Sequence, residues 1–129
     1  DDKMAGDITE SHVLWDREKR NASESCPVLA NDLLFQTTRG GVVTYMNPQT
    51  GADVWEDRFP GQHLPSPIAA GDRLYFSNDR GDTRVIRAAN KFEILAENKL
   101  PDAMTAAPAV ADGAIFIRTK KQLFKIAVK

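Results

Sequence analysis

Short apolar runs separated by polar turns recur along this chain with a period near 40 residues. Pro27, Pro67 and Pro108 stand 40 and 41 residues apart, and each opens a run that ends in alanine: Pro27-Val28-Leu29-Ala30, Pro67-Ile68-Ala69-Ala70 and Pro108-Ala109-Val110-Ala111. Asn31-Asp32, Gly71-Asp72 and Asp112-Gly113 follow, pairs that tolerate the positive φ of a two-residue hairpin turn. The next strand carries an aromatic at its third position in every copy, at Phe35, Tyr75 and Phe116. A third strand holds Val43 and Met46, then Thr83 and Ile86, then Leu123 and Ile126, at intervals of 40. The fourth strand is Val54-Trp55 in the first copy and Ile94-Leu95 in the second.

No segment sustains the i, i+3, i+4, i+7 apolar spacing of an amphipathic helix. Residues 87–95 come closest, and the repeat register assigns them to turn and strand instead. Pro60, Pro65 and Pro101 fall in the connections between copies, where proline removes no ladder hydrogen bond. A 40-residue period of four short strands predicts an all-β fold of propeller type. A single four-stranded sheet cannot bury both its faces, so such sheets stack as blades.

The pattern predicts about three four-stranded antiparallel blades, with repeats over 24–59, 64–99 and 104–129 in one domain covering residues 11–129. His12-Val13-Leu14-Trp15-Asp16 lies 40 residues before the Trp55 segment and takes the fourth-strand position, as residues 11–17. It belongs either to a preceding blade or to the last one, which it would complete. Three blades do not close a ring of the usual four to eight. The chain is therefore expected to be a partial propeller, either a fragment of a larger ring or a unit that self-associates through apolar open blade ends. Two copies would make six blades. Asp1-Asp2-Lys3-Met4 resembles the remnant of a cloning tag, so residues 1–10 read as tag remnant or flexible N-terminus.

Composition narrows the function classes. Seventeen basic against 18 acidic residues give a net charge of −1, without the basic footprint of a nucleic-acid binder. No apolar run approaches the roughly 20 residues of a membrane-spanning helix. Cys26 is the only cysteine, which excludes an intramolecular disulfide and a cysteine-rich metal site.

Gly41 to Trp55, GVVTYMNPQTGADVW, resembles the pyrroloquinoline-quinone-like propeller repeat, in which a strand of the form LYALDAKTG precedes one ending in tryptophan. Ser66 to Phe76 and Ala107 to Phe116 are similar to the other half of that repeat. The resemblance covers His12 to Ile126, and the closing Arg118 to Ile126 is similar to the C-terminal portion of bacterial exported propellers, some of them related to the lipoprotein that scaffolds outer-membrane protein assembly. It implies an extracytoplasmic location, periplasmic or secreted. The second copy departs from the pattern, with Leu95 for the tryptophan and Lys91 for the glycine.

Some members of the wider superfamily are quinone-dependent dehydrogenases, with an axial pocket, a calcium ion, a catalytic aspartate and often paired cysteines. The chain does not assemble that set. No catalytic, cofactor-binding or metal residue is assigned, and no cofactor is expected.

The bland reading prevails at each candidate. Trp15 and Trp55 read as rings that lock blades together rather than as cofactor platforms. His12 and His63 lack a partner at metal-ligand spacing, and His63 reads as a surface-loop histidine. Asp53, Glu56, Asp57 and Arg58 read as a solvated strand end. Asp79-Arg80-Gly81-Asp82 contains an Arg-Gly-Asp triplet in what reads as an ordinary hairpin turn. Asn21-Ala22-Ser23 is formally a glycosylation sequon. Arg118, Lys120 and Lys121 form a basic turn.

The function expected is a non-catalytic binding or scaffolding module for a protein or peptide partner, presented on loops Phe59 to Ser66 and Leu100 to Ala107. The alternative is a structural portion of a quinone-dependent or other enzyme whose active site lies outside this chain.

Overall fold

The structure is a computed structural model that describes residues 6–128. It is all-β apart from one turn of helix, α1 (Thr9–His12). The first blade is a sheet of β1 (Val28–Ala30), β2 (Leu33–Thr37), β3 (Val42–Met46) and β4 (Asp53–Arg58). The second contains β5 (Ile68–Ala70), β6 (Arg73–Ser77), β7 (Asp82–Arg87) and β8 (Ile94–Lys99). The third has β9 (Ala109–Ala111), β10 (Ala114–Arg118) and β11 (Leu123–Ala127). Strands pair antiparallel in sequence order within each sheet, forming an open partial propeller.

Local chemistry accounts for the hairpins. Asn31 and Asp32 take φ of 49° and 58°, and Asp112 and Gly113 take 50° and 69°. Both pairs thus have the two left-handed residues of a turn that matches strand twist. A bulge interrupts the pairing between Tyr45 and Met46 and again, 40 residues on, between Val85 and Ile86. Trp55 faces Tyr45, whereas the residue facing Val85 is Ala96 and not Leu95. The chain between the paired residues Val85 and Ala96 is one residue longer than that between Tyr45 and Trp55. This corrects the alignment of Leu95 with Trp55, and it locates the extra residue behind the 41-residue proline spacing.

The core lies between the first two blades. Phe35, Val43 and Tyr45 of the first blade share one buried cluster with Leu74, Phe76 and Ile86 of the second. Trp55 crosses the gap edge-on to Phe92, ring centroids 5.0 Å apart, so it locks neighbouring blades as expected.

Residues 11–17 form no strand, and among the described residues the third sheet has three strands. The N-terminal segment instead straps the outer face of the first blade. The Trp15 ring packs where a Cβ on Gly51 would lie 2.7 Å away, and its Nε1 donates to the Pro48 carbonyl at 2.9 Å. Arg17 makes a two-pronged pair with Asp53, Arg20 pairs with Glu56, and Gln36 Nε2 donates to the Arg20 carbonyl.

The face beneath explains why a strap suffices. Its buried residues include Gln36 and Thr44, where the second blade has Phe76 and Arg84. The first blade's outer face thus mixes Gln36 and Thr44 with Leu34 and Met46, and the strap lies over it. At the other end, β10 and β11 pair Phe116 with Lys125 and Arg118 with Leu123, a face that mixes cations with apolar groups. The tag-remnant expectation at Asp1 to Met4 lies outside the described residues. Trp15→Ala is expected to cost about 1–2 kcal/mol, one hydrogen bond plus a half-buried ring. Urea denaturation checks the size, and faster proteolysis at Arg17 and Lys19 checks that the strap is what loosens.

Candidate functional site

The two connections between blades act as latches. In the first, residues 59–66, the Phe59 N–H donates to the Gly41 carbonyl and the His63 N–H to the Arg39 carbonyl, both in the first blade. Gln62 and Asp79 then exchange bonds across to the second blade: the Gln62 N–H donates to Asp79 Oδ1, and the Asp79 N–H to the Gln62 carbonyl. The second connection, residues 100–107, repeats the plan, with Leu100 N–H on the Gly81 carbonyl and Lys120 and Lys121 N–H on the Ala103 carbonyl and Asp102 Oδ2. Phe59, His63, Pro65 and Met104 are buried. These stretches hold blades together, and Pro60, Gln62, Pro101 and Thr105 in them stay exposed.

A cavity of about 240 Å³ opens where the first latch meets the second blade. Strand alternation puts Asp82 and Arg84 of β7 on one face, and the register sets Lys99 and Glu97 of β8 directly opposite them. Two cross-strand ion pairs result, Lys99–Asp82 at 3.2 Å and Arg84–Glu97 at 2.5 Å. Half-exposed pairs of this kind contribute at most about 1 kcal/mol each. The Arg84 guanidinium also lies 4.8 Å from the centre of the Phe59 ring. Phe59 meets Phe76 edge-on with centroids 5.6 Å apart.

Asn78 closes the site with its hydrogen-bonding capacity full. Its Nδ2 donates to the Pro60 carbonyl and Asp82 Oδ2, while its Oδ1 accepts from the Arg80 and Asp82 N–H groups. The Asn78 amide, with Lys99 behind it, holds the Asp82 carboxyl below the usual aspartate range. Asp82 is thus committed to its own turn. Gly81 is buried at φ 87°, so the Arg-Gly-Asp triplet is a structural turn, as expected from its position.

His63 is 2% exposed, not a surface-loop histidine. Its Nε2 lies 3.3 Å from the Pro60 carbonyl, which assigns the proton to that nitrogen, and its Nδ1 has no partner. Burial lowers its proton affinity most, and the Arg84 charge adds to this against the Pro60 and Ser77 carbonyls and Asp79. Below about pH 6.5 the unfolded chain binds a proton that the folded ring refuses, so stability falls as pH drops through that value. Urea midpoints at about pH 5.5 and about pH 7.5 are expected to differ, and His63→Met to remove part of the difference. Methionine is the repeat's own choice, since Met104 holds the same position 41 residues on. Aligning the two latches by that spacing is the sequence signal that marks His63 as buried.

The remaining candidates are dispersed. Asp53 and Glu56 are exposed at the strand end and pair with the strap arginines, while the Asp57 carboxylate accepts from the Arg58 N–H. Trp55 Nε1 is buried without a partner. His12 is exposed beside Ser11, Asn21 donates to the Arg17 carbonyl, and Cys26 is an exposed free thiol. Arg118, Lys120 and Lys121 are exposed. Among the described residues no three His, Cys, Asp or Glu side chains gather as a metal site. No helix among them is long and apolar enough to cross a membrane. Chemically, the cavity offers an aromatic floor and charges already matched to one another, an arrangement for contact more than for proton transfer.

Fold and repeat together define a β-propeller of the pyrroloquinoline-quinone-like class. Residues 5–95 match the family described as outer membrane protein assembly factor BamB, and the chain belongs to that family. No curated protein matches it. Among solved structures it is similar to BamB from Moraxella catarrhalis, with TM-score 0.65, 17% identity, and coverage of 77% of this chain and 29% of that one. A quinohemoprotein alcohol dehydrogenase from Pseudomonas putida HK5 gives TM-score 0.62 at 16% identity, over 76% of this chain and 16% of that one. A europium-containing methanol dehydrogenase gives 0.59 at 14%, over 70% and 19%. The chain thus spans less than a third of the length of each of these proteins.

Proposed function

We propose that this chain is a non-catalytic binding or scaffolding module, acting outside the cytoplasm, whose partner is a protein or peptide engaged in outer membrane protein assembly. The observation that carries this reading is family membership over residues 5–95, in a family described by that assembly role. Self-association belongs to the same reading only through the third blade's outer face, because the strap occupies the other end. Light scattering that reads a monomer at every concentration removes that part.

A photo-reactive residue at Asn98 or at Leu123, both exposed, tests the partner. Irradiation with an unfolded outer membrane polypeptide is expected to give a saturable cross-link in the micromolar range. Absence of any cross-link from either position contradicts the reading.

A second reading is favoured by the likeness to the two dehydrogenases: a structural portion of a quinone-dependent or other enzyme whose active site lies outside this chain. A parent protein that carries a calcium-ligand set and adjacent cysteines outside this chain favours the enzyme, and one that lacks them favours the scaffold.

A further inference from the structure

The two gaps between blades are built to one plan and filled differently. In the first gap, Phe59 and Phe76 are both buried and meet edge to face. In the second gap the matching positions, 41 residues on, are Leu100 and Ile117, and Val43 is replaced 40 residues on by Thr83. Two aromatic rings have become two aliphatic side chains. A cavity of about 300 Å³ lies there, lined by Tyr75 and Thr83 on the second blade and by Leu100, Ile115, Ile117 and Ile126.

Its polar groups lie at the edges. The Thr83 hydroxyl is already bonded to Ser77 Oγ at 2.9 Å. Asn98 and Lys99 line it as exposed residues, and Lys99 is paired with Asp82. Nothing in this lining calls for a charged occupant. The volume exceeds that of engineered cavities of about 150 Å³ that take benzene.

We propose that this second inter-blade cavity is a binding site for one neutral aromatic ring, carried as a phenylalanine or tyrosine side chain by the polypeptide partner. The identity of the carrier rests on the proposed binding function; the ring site itself rests on the repeat. The bound ring would restore the aromatic packing that the first gap has from its own sequence. Aromatic anchors seated in apolar pockets carry much of the energy of protein interfaces.

Methyl-labelled full chain titrated with N-acetyl-phenylalaninamide tests the site. Shifts are expected at Ile115, Ile117 and Ile126, saturating in the millimolar range as befits a single side chain. The paired variant Leu100→Phe with Ile117→Phe rebuilds the first gap's aromatics, and it is expected to raise the melting temperature and abolish those shifts. Ile117→Phe alone serves if the pair does not fold, and is expected to weaken binding at least about tenfold. No methyl shift up to about 10 mM overturns the site, as does undiminished binding by a folded filled variant. Binding of p-cresol without binding of the amide overturns the side-chain source in favour of a free small aromatic. Cross-linking to the polypeptide that the filled variant leaves unchanged overturns this site while leaving the proposed function standing.

Discussion

Gly41→Ala is expected to cost about 4 kcal/mol, a large part of the roughly 5–15 kcal/mol that keeps a domain folded. Gly41 sits at φ 82°, and a Cβ there would lie 2.0 Å from the Phe59 carbonyl oxygen and 3.3 Å from the His63 ring. The obstruction is backbone, so no rotamer change relieves it. Relief requires the first latch to move away, and that breaks the 2.7 Å bond from the Phe59 N–H to the Gly41 carbonyl. Gly81 repeats the arrangement, with carbonyls of Asp102 and Leu100 each 2.6 Å from a Cβ. Gly71→Ala is the control: φ is also positive, but nothing lies within 4 Å, and the expected cost is about 1 kcal/mol. Urea denaturation of both variants reads the contrast. Equal costs would mean that backbone conformation alone, and not the latch, explains Gly41.

Phe59→Ala is expected to cost about 3–5 kcal/mol, the range for emptying a buried aromatic site. Phe59 is 1% exposed and joins three elements at once, ending the first blade, opening the latch and packing on the second blade. Its ring meets Phe76 and Phe92 and carries the Arg84 guanidinium above it. Leu100→Ala, the same position one repeat later, is expected to cost about half as much, because Leu100 is only half-buried beside a gap that is already loose. Midpoint shifts with an unchanged denaturant slope would confirm that both act on packing.

Most of the fold was legible because a repeat states its rules three times. The prolines at 27, 67 and 108, the turn pairs after them and the aromatic three residues further on appear in the structure as the edges and hairpins of three sheets. Residues 11–17 misled because Val13, Leu14 and Trp15 have strand-like side chains at the right spacing from Trp55. Arg17 and Arg20 decide otherwise, since Asp53 and Glu56 offer them ion pairs on the first blade. Those partners lie more than 30 residues away, beyond any local pattern.

The candidate site was harder to read than the fold. The pairs Arg84–Glu97 and Asp82–Lys99 follow only from strand register, which the extra residue between Val85 and Ala96 shifts by one. His63 was hidden for a different reason: polarity argues for a surface loop, whereas its repeat position argues for the interior. Position won.

The central structural claim is a row of stacked blades, strapped at one end and joined by buried latches. Nuclear Overhauser contacts between assigned ring protons test it most directly. Contacts from the Trp55 indole to the Phe92 ring, from Phe59 to Phe76, and from Trp15 to Gly51 are expected. Extended-strand chemical shifts over residues 11–17, with contacts from that segment to residues 123–127 and none from Trp15 to Gly51, would contradict it. The N-terminal strand would then complete the third blade.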